Sequence, residues 1–285
     1  MPWSFVDIDT LRRCYAVDDY RHTSQQSQNN GGQLSVSAQS GVIRPIDVLV
    51  ARNLSGLDGL PFPFEYHPRH DCSREELDRE RIESESILRK GAQRWLADWI
   101  WAKQAPDLWI EVLAIPAGRP IGIHVPDAVR ISACRRDDRG FVATQAPTRD
   151  DGSTGLIEVH ECDAVDLSPA IVDRLPDEPA GSLGPVGTTK AVPNGPLDDA
   201  RPYSATQLNY LDMPDKLCGI ISIRHGTNRD WGLNADRTVM WIDKTGDGRY
   251  LWEADMVPAE RSHITAAINR QTAVLIREIR DHRRP

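Results

Sequence analysis

Between Leu217 and Ile279 the chain first alternates apolar and polar positions and then repeats its apolar positions every three or four residues. The alternating runs Leu217–Arg224, Arg237–Asp243 and Arg249–Met256 read as strands. Pro258 then opens a helix that places Ile264, Ala267, Ile268, Leu275 and Ile279 on one face. A weaker echo of this plan lies upstream, from Val129 to Leu175. Its strands are Ala128–Arg136, Phe141–Ala146 and Gly155–Glu161, the first two joined by Asp137-Asp-Arg-Gly140, and Leu108–Ile115 precedes them. Ser168-Pro169 caps a short helix with Ile171, Val172 and Leu175 inward. Aligning Asp151-Gly152 with Asp247-Gly248 gives an internal offset of roughly 95 residues, longer than the repeat of a solenoid.

Helical patterns come before these strands. Ile46, Leu49, Val50, Asn53, Leu54 and Leu57 recur at helical spacing behind Pro45, and Gly56 and Gly59 end that helix. Leu60-Pro-Phe-Pro-Phe-Glu-Tyr66 continues extended, because proline disfavours the helical region for the residue before it. Ser73-Arg-Glu-Glu76 is a capping box, and the helix it opens carries Ile87, Leu88, Ala92, Trp95, Leu96, Trp99 and Ile100 on one stripe. The charged first turns of that helix leave only its C-terminal half for deep packing. Arg21 to Gly41 is rich in Gln, Ser, Asn and Gly and reads as a disordered insertion behind an ordered leader, Trp3 to Tyr20. Leu183 to Pro214 reads as a surface linker.

The expected organisation is therefore a leader with its insertion over 1–41, an N-terminal half over 42–181, a linker over 182–216 and a C-terminal half over 217–285. Strands and helices without regular βαβ alternation predict an α+β fold, with a central, mainly antiparallel sheet in two quasi-symmetric halves and flanking helices.

Composition narrows the function. A net charge of −8 argues against a nucleic-acid footprint. No apolar run reaches the roughly 18 residues of a membrane span. The start, Met-Pro-Trp-Ser-Phe-Val-Asp, lacks the basic and apolar regions of a secretory signal. Five cysteines, none closer than 28 residues to another, fit reduced thiols in a cytoplasm.

No catalytic set stands out. Asp243-Lys-Thr-Gly-Asp247-Gly248 resembles the opening of a calcium loop, but Ala254 occupies the place of the bidentate glutamate and Glu253 comes one position early. A hairpin turn with Gly246 and Gly248 is the simpler reading. His67, His70 and Cys72 lack the further ligands a zinc site wants, and a solvated loop suits them better. His160-Glu161 lacks a second histidine one helical turn on. No metal, cofactor or catalytic residue is expected. A metal-dependent hydrolase using the Asp243–Glu253 or His67–Cys72 loop stays as the alternative, as does a purely structural or adaptor protein.

Eight tryptophans stand against four phenylalanines. Trp95, Trp99, Trp101 and Trp109 read as core around one helix–strand corner. Trp231, Trp241, Tyr250 and Trp252 fall on or beside the last strand pair. They are either core beneath the last helix or anchors on an open aromatic face, the residue types that carry protein interfaces.

Taken in order, Leu54-Ser-Gly-Leu-Asp-Gly-Leu-Pro-Phe-Pro-Phe64, the Cys218–Arg224 strand, Val239-Met-Trp-Ile-Asp243, Gly-Asp-Gly-Arg-Tyr-Leu-Trp252 and Pro258-Ala-Glu resemble the EspG family. These are chaperones of ESX (type VII) secretion in mycobacteria and related actinobacteria. The resemblance covers roughly Val42 to Ile279, behind a leader and insertion of this chain's own. It implies a non-enzymatic cytoplasmic protein that binds the helical tip of the PPE protein in a PE–PPE heterodimer and keeps the pair soluble for secretion. It also implies docking on the central sheet and the C-terminal helical part. The aromatic pattern of the last strand pair, not the resemblance, makes Trp231, Trp241, Tyr250 and Trp252 the candidate partner-binding residues.

Overall fold

In the computed structural model the described residues are 40–90, 94–119, 124–187, 204–226 and 237–282; the predicted ordered leader and nearly all of the insertion lie outside them. Among these residues nine strands form one antiparallel sheet: β1 (Ser40–Ile43), β2 (Leu108–Pro116), β3 (Val129–Arg136), β4 (Arg139–Gln145), β5 (Ile157–Asp163), β6 (Asp215–His225), β7 (Arg237–Lys244), β8 (Gly248–Trp252) and β9 (Met256–Pro258). Six α-helices among the described residues accompany it: α1 (Pro45–Leu54), α2 (Arg74–Arg89), α3 (Arg94–Gln104), α4 (Leu167–Val172), α5 (Ala205–Asp212) and α6 (Arg261–His282).

The strand order is β1-β5-β4-β3-β2-β6-β7-β8-β9. Two meanders, β2 to β5 and β6 to β9, run outward from a central antiparallel pair in which Val112 stands opposite Ile221. That layout relates the halves by an approximate two-fold through the β2–β6 seam. It also corrects the expected offset. Val129 and Arg237 begin equivalent strands 108 positions apart, so the Gly246–Gly248 turn corresponds to the Asp137–Asp138 turn and not to Asp151-Gly152.

The period-two pattern sends alternate residues to opposite faces. One face buries Ile110, Val112, Ile131, Val142, Ile221, Val239, Trp241 and Leu251 beneath α4 and α6, which contribute Ile171, Ile264, Ile268 and Leu275. On the other face α1 and α3 cover the N-terminal half, packing Val48, Leu96, Trp99 and Ile100 against Cys134, Phe141, Ala143 and Val159.

Local chemistry explains where the elements differ from expectation. Ser40 and Gly41 are not part of a disordered insertion; with Val42 and Ile43 they form β1, paired to β5 from Ser40↔His160 to Ile43↔Ile157. Gly41 leaves room for the Trp95 ring, which a Cβ there would meet at 2.1 Å. The helix expected from Ser73 through Ile100 is two helices. Its capping box is present, α2 buries only Ser84 and Leu88, and Lys90 caps its end ahead of Gly91, where a helix loses most backbone entropy. The strand expected over Arg249–Met256 splits into β8 and β9, because Glu253 donates its N–H to the Asp255 carbonyl and turns the chain. Pro258 ends β9 rather than opening a helix, and α6 starts at Arg261. The short helix begins at Leu167 after Asp166, with Ser168 buried inside it rather than capping it. Within the expected linker, Ser204 and Gln207 make a reciprocal capping box that starts α5.

Candidate partner-binding face

On the face that α1 and α3 half cover, the C-terminal strands carry an aligned apolar row. Leu113, Ile220, Met240 and Trp252 stand opposite one another across β2, β6, β7 and β8. Leu113 and Ile220 are half-buried, while Met240 and Trp252 are 41% and 48% exposed. Paired residues of an antiparallel ladder share a face, so these four side chains form one stripe across the strands. At the adjacent corner α5 packs Tyr210 edge-on against Tyr250, with ring centroids 5.1 Å apart. The Lys244 ammonium sits 4.2 Å from the centre of the Tyr210 ring. Leu208 and Leu211 of α5 remain exposed.

The base of this face is held by buried polar pairs. Arg224 pairs with Glu111 in the middle of the sheet, both buried. Lys103 of α3 donates to the Ser132 hydroxyl at 2.8 Å, and burial lowers its pKa. On the opposite face Asp243 receives both Nε (2.6 Å) and Nη2 (2.8 Å) of Arg249, each side chain being 1% exposed. A bidentate pair of this kind fixes the hairpin without leaving a lone charge in the core.

The calcium-like segment is thus a hairpin turn, with Gly246 and Gly248 at φ 79° and 154°. Asp247 accepts from Ser182 N–H at 3.0 Å and from the hydroxyls of Ser182 and Tyr250. Both carboxylates are engaged by protein donors. Burial works against the Asp247 anion, but these hydrogen bonds outweigh it and hold its pKa below the usual range. Burial and the Asp247 partner push the Tyr250 hydroxyl up to about 12. Leu183 N–H also donates to the Tyr250 oxygen at 3.0 Å, and Val186 bridges to Met256, so the chain from Gly181 to Val186 is strapped across β8 and β9.

Asp247→Ala is expected to loosen that strap at a cost of about 1 kcal/mol, reduced by solvent exposure. Faster amide exchange at Ser182, Leu183 and Val186 measures it. Because the folded pKa is depressed, the Asp247 contribution is full above the ordinary aspartate value of 3.8 and fades as pH falls through the lower folded value. The difference between the parent and Asp247→Ala in chemical denaturation should shrink over that acid window.

The four aromatic residues singled out by sequence do not come together on one surface. Trp241 is 1% exposed and points into the core beneath α6. Tyr250 is fully buried between α5 and the strap, so neither ring is free to meet a partner. Trp252 is the exposed one, and Trp231 lies outside the described residues. Sequence reading missed Leu113, Ile220 and Met240, although strict alternation already put Met240 on the face opposite Trp241. What it lacked was the register. The His67–Cys72 loop is likewise dispersed: His67 turns toward Glu65 and His124, while the His70 ring lies over Gly152.

The sequence profile of the EspG family matches residues 46–278. The chain belongs to the EspG family. Among solved structures, the Mycobacterium tuberculosis type VII secretion system chaperone EspG5 in complex with a PE25-PPE41 dimer is similar to this EspG protein at a TM-score of 0.47 and 13% sequence identity, covering 82% of this chain and 96% of that one. None of the curated proteins matches the sequence. No helix among the described residues is long and apolar enough to cross a membrane.

Proposed function

We propose that this protein is a non-enzymatic cytoplasmic chaperone of a type VII (ESX) secretion system. It binds the helical tip of the PPE-type subunit in a PE–PPE pair, keeps the pair soluble and directs it to secretion. Membership of the EspG family carries this reading.

The geometry fits the task. A secreted helical pair with an apolar tip would self-associate unless that tip were covered. The Leu113–Ile220–Met240–Trp252 row spans four strands, about 14 Å at the usual strand spacing. Two to three turns of an amphipathic helix match that length. Trp252 and Met240 supply the aromatic and flexible thioether anchors that such a groove uses. Leu208 and Leu211 extend the apolar surface toward α5. The complex must also come apart at the secretion machine, so a moderate affinity is expected.

The competing reading, a metal-dependent hydrolase working through the Asp243–Glu253 loop, needs carboxylates free to hold a cation or move a proton. Asp243 is paired to Arg249, Asp247 to Ser182 and Tyr250, and Glu253 to Arg270. Those engagements favour the chaperone.

Co-expression with PE–PPE pairs encoded in the same genome is the direct test. A co-purifying ternary complex with at least one pair is expected. Failure with every pair would remove the proposal.

A further inference from the structure

The extended segment after Gly59 is pinned to the sheet in a way that gathers three ligand-bearing side chains. Gln145 clamps Glu65 through its backbone, accepting from the N–H at 3.0 Å and donating to the carbonyl at 2.7 Å. Thr154 does the same for His67: its hydroxyl accepts the His67 N–H at 3.3 Å, and its own N–H donates to the His67 carbonyl at 3.1 Å. Glu65 and His67 are two residues apart on an extended chain, so their side chains leave on the same side. They meet His124, which arrives from the loop before β3. His124 Nδ1 lies 2.7 Å and His67 Nε2 lies 3.5 Å from Glu65 Oε2, and the two imidazole centroids are 4.2 Å apart.

The geometry points to a binding site for one divalent transition-metal ion of the zinc class, held by Glu65, His67 and His124. One ligand atom from each lies within 4.8 Å of the other two. Tetrahedral coordination at ordinary Zn–N and Zn–O lengths wants ligand atoms about 3.3 Å apart, so side-chain rotation alone, with the backbones left clamped, closes the set. Two imidazoles and one carboxylate favour Zn²⁺, Co²⁺ or Ni²⁺ over Mg²⁺ or Ca²⁺, which prefer all-oxygen cages. An outer partner is already in place: the Thr148 hydroxyl is 3.2 Å from His124 Nε2, orienting the ring so that Nδ1 faces the site. The three side chains are 29% to 44% exposed, which gives an ion entry and leaves a position for water.

Arg130 sets the affinity. Its guanidinium donates to Glu65 Oε2 at 2.8 Å and to the Val125 carbonyl at 3.0 Å, and it is buried. The ion therefore shares Glu65 with a fixed positive charge, so binding is weaker than in a carboxylate–imidazole site without one. The bound ion would staple three connecting segments: the run from Leu60 to His67, the entry to β3, and the β4–β5 loop that carries Thr148 and Thr154. Its role is structural, and it does not depend on the chaperone reading.

The test uses the full chain stripped of metal with a chelator. Titration with Zn²⁺ in a calorimeter should show one saturable equivalent and a rise in the thermal midpoint, as expected for an ion that binds only the folded state. His67→Ala and His124→Ala should each lower the affinity roughly tenfold or more, as loss of one of three ligands implies. His70→Ala and Cys72→Ser should leave it unchanged. Arg130→Gln should tighten binding by roughly tenfold or more, by removing the like charge. If the histidine variants fail to fold, the X-ray absorption spectrum of the zinc-loaded parent still decides, since it should show two imidazoles and no sulfur. No saturable binding, a sulfur ligand, or affinity indifferent to both His67 and His124 would overturn the proposal.

Discussion

Trp241→Ala is expected to destabilise the fold by about 3–5 kcal/mol, the usual cost of deleting a fully buried large aromatic side chain. Trp241 lies in the cluster that α6 seals with Ile264, Ile268 and Leu275. Its ring occupies the space above Gly219, its neighbour on β6, where an added Cβ would come within 2.2 Å of ring carbons. That fit makes a second measurement possible. Gly219→Ala alone should cost about 1–3 kcal/mol through overpacking. In the Trp241→Ala background its cost should largely vanish, because the cavity accepts the methyl group. The indole N–H has no hydrogen-bond acceptor among the described residues, so Trp241→Phe loses volume but no bond and should be tolerated far better. Equilibrium urea unfolding of the four variants tests all of this. A Trp241→Ala protein as stable as the parent, and altered only in partner binding, would put the ring on a surface and refute the packing described here.

Trp252→Ala is expected to act in the opposite way, with little change in stability and a loss of about 2 kcal/mol, or roughly 30-fold, in affinity for a PE–PPE pair. Trp252 is half exposed on the same sheet that buries Trp241, one strand over and on the other face. Directly opposite it stands Met240, so Met240→Asp places a charge in the centre of the row and should cost at least as much. The two substitutions touch one contact surface, and their combined effect should fall short of the sum. Calorimetric or surface-based titration of a purified PE–PPE pair measures the loss, and thermal unfolding of the free protein controls for folding. Undiminished binding by both variants would move the partner site off this face, leaving the family assignment intact.

Much of the scaffold was legible because its signals are local. The alternation that defines β2, β3, β6 and β7, the capping box at Ser73 and the glycine turn at Gly246–Gly248 each depend on a few neighbouring residues. Those were placed within one or two positions of the structure. The capping box at Ser204 was equally local but was masked by the Gly, Pro and Asp around it, so α5 was read as linker. Strand β1 was missed for another reason. Ser40-Gly-Val-Ile43 has little strand character alone and is ordered by β5 and by the Trp95 ring lying over Gly41.

The sequence by itself determined the α+β class, the doubled arrangement of strands and helices, and the kinship with EspG proteins, since period, capping and turn chemistry are written residue by residue. Only the tertiary structure decided which aromatic rings are buried, where the two halves join, and which side chains meet across them. Register fixes those outcomes, and register depends on strands that lie 100 or more positions apart, as Leu113 and Ile220 do. Separation along the chain also divides legible from illegible at the histidines: His67 is three residues from His70 in the chain's own neighbourhood, yet it is folded against the distant His124, brought there by clamps from Gln145 and Thr154.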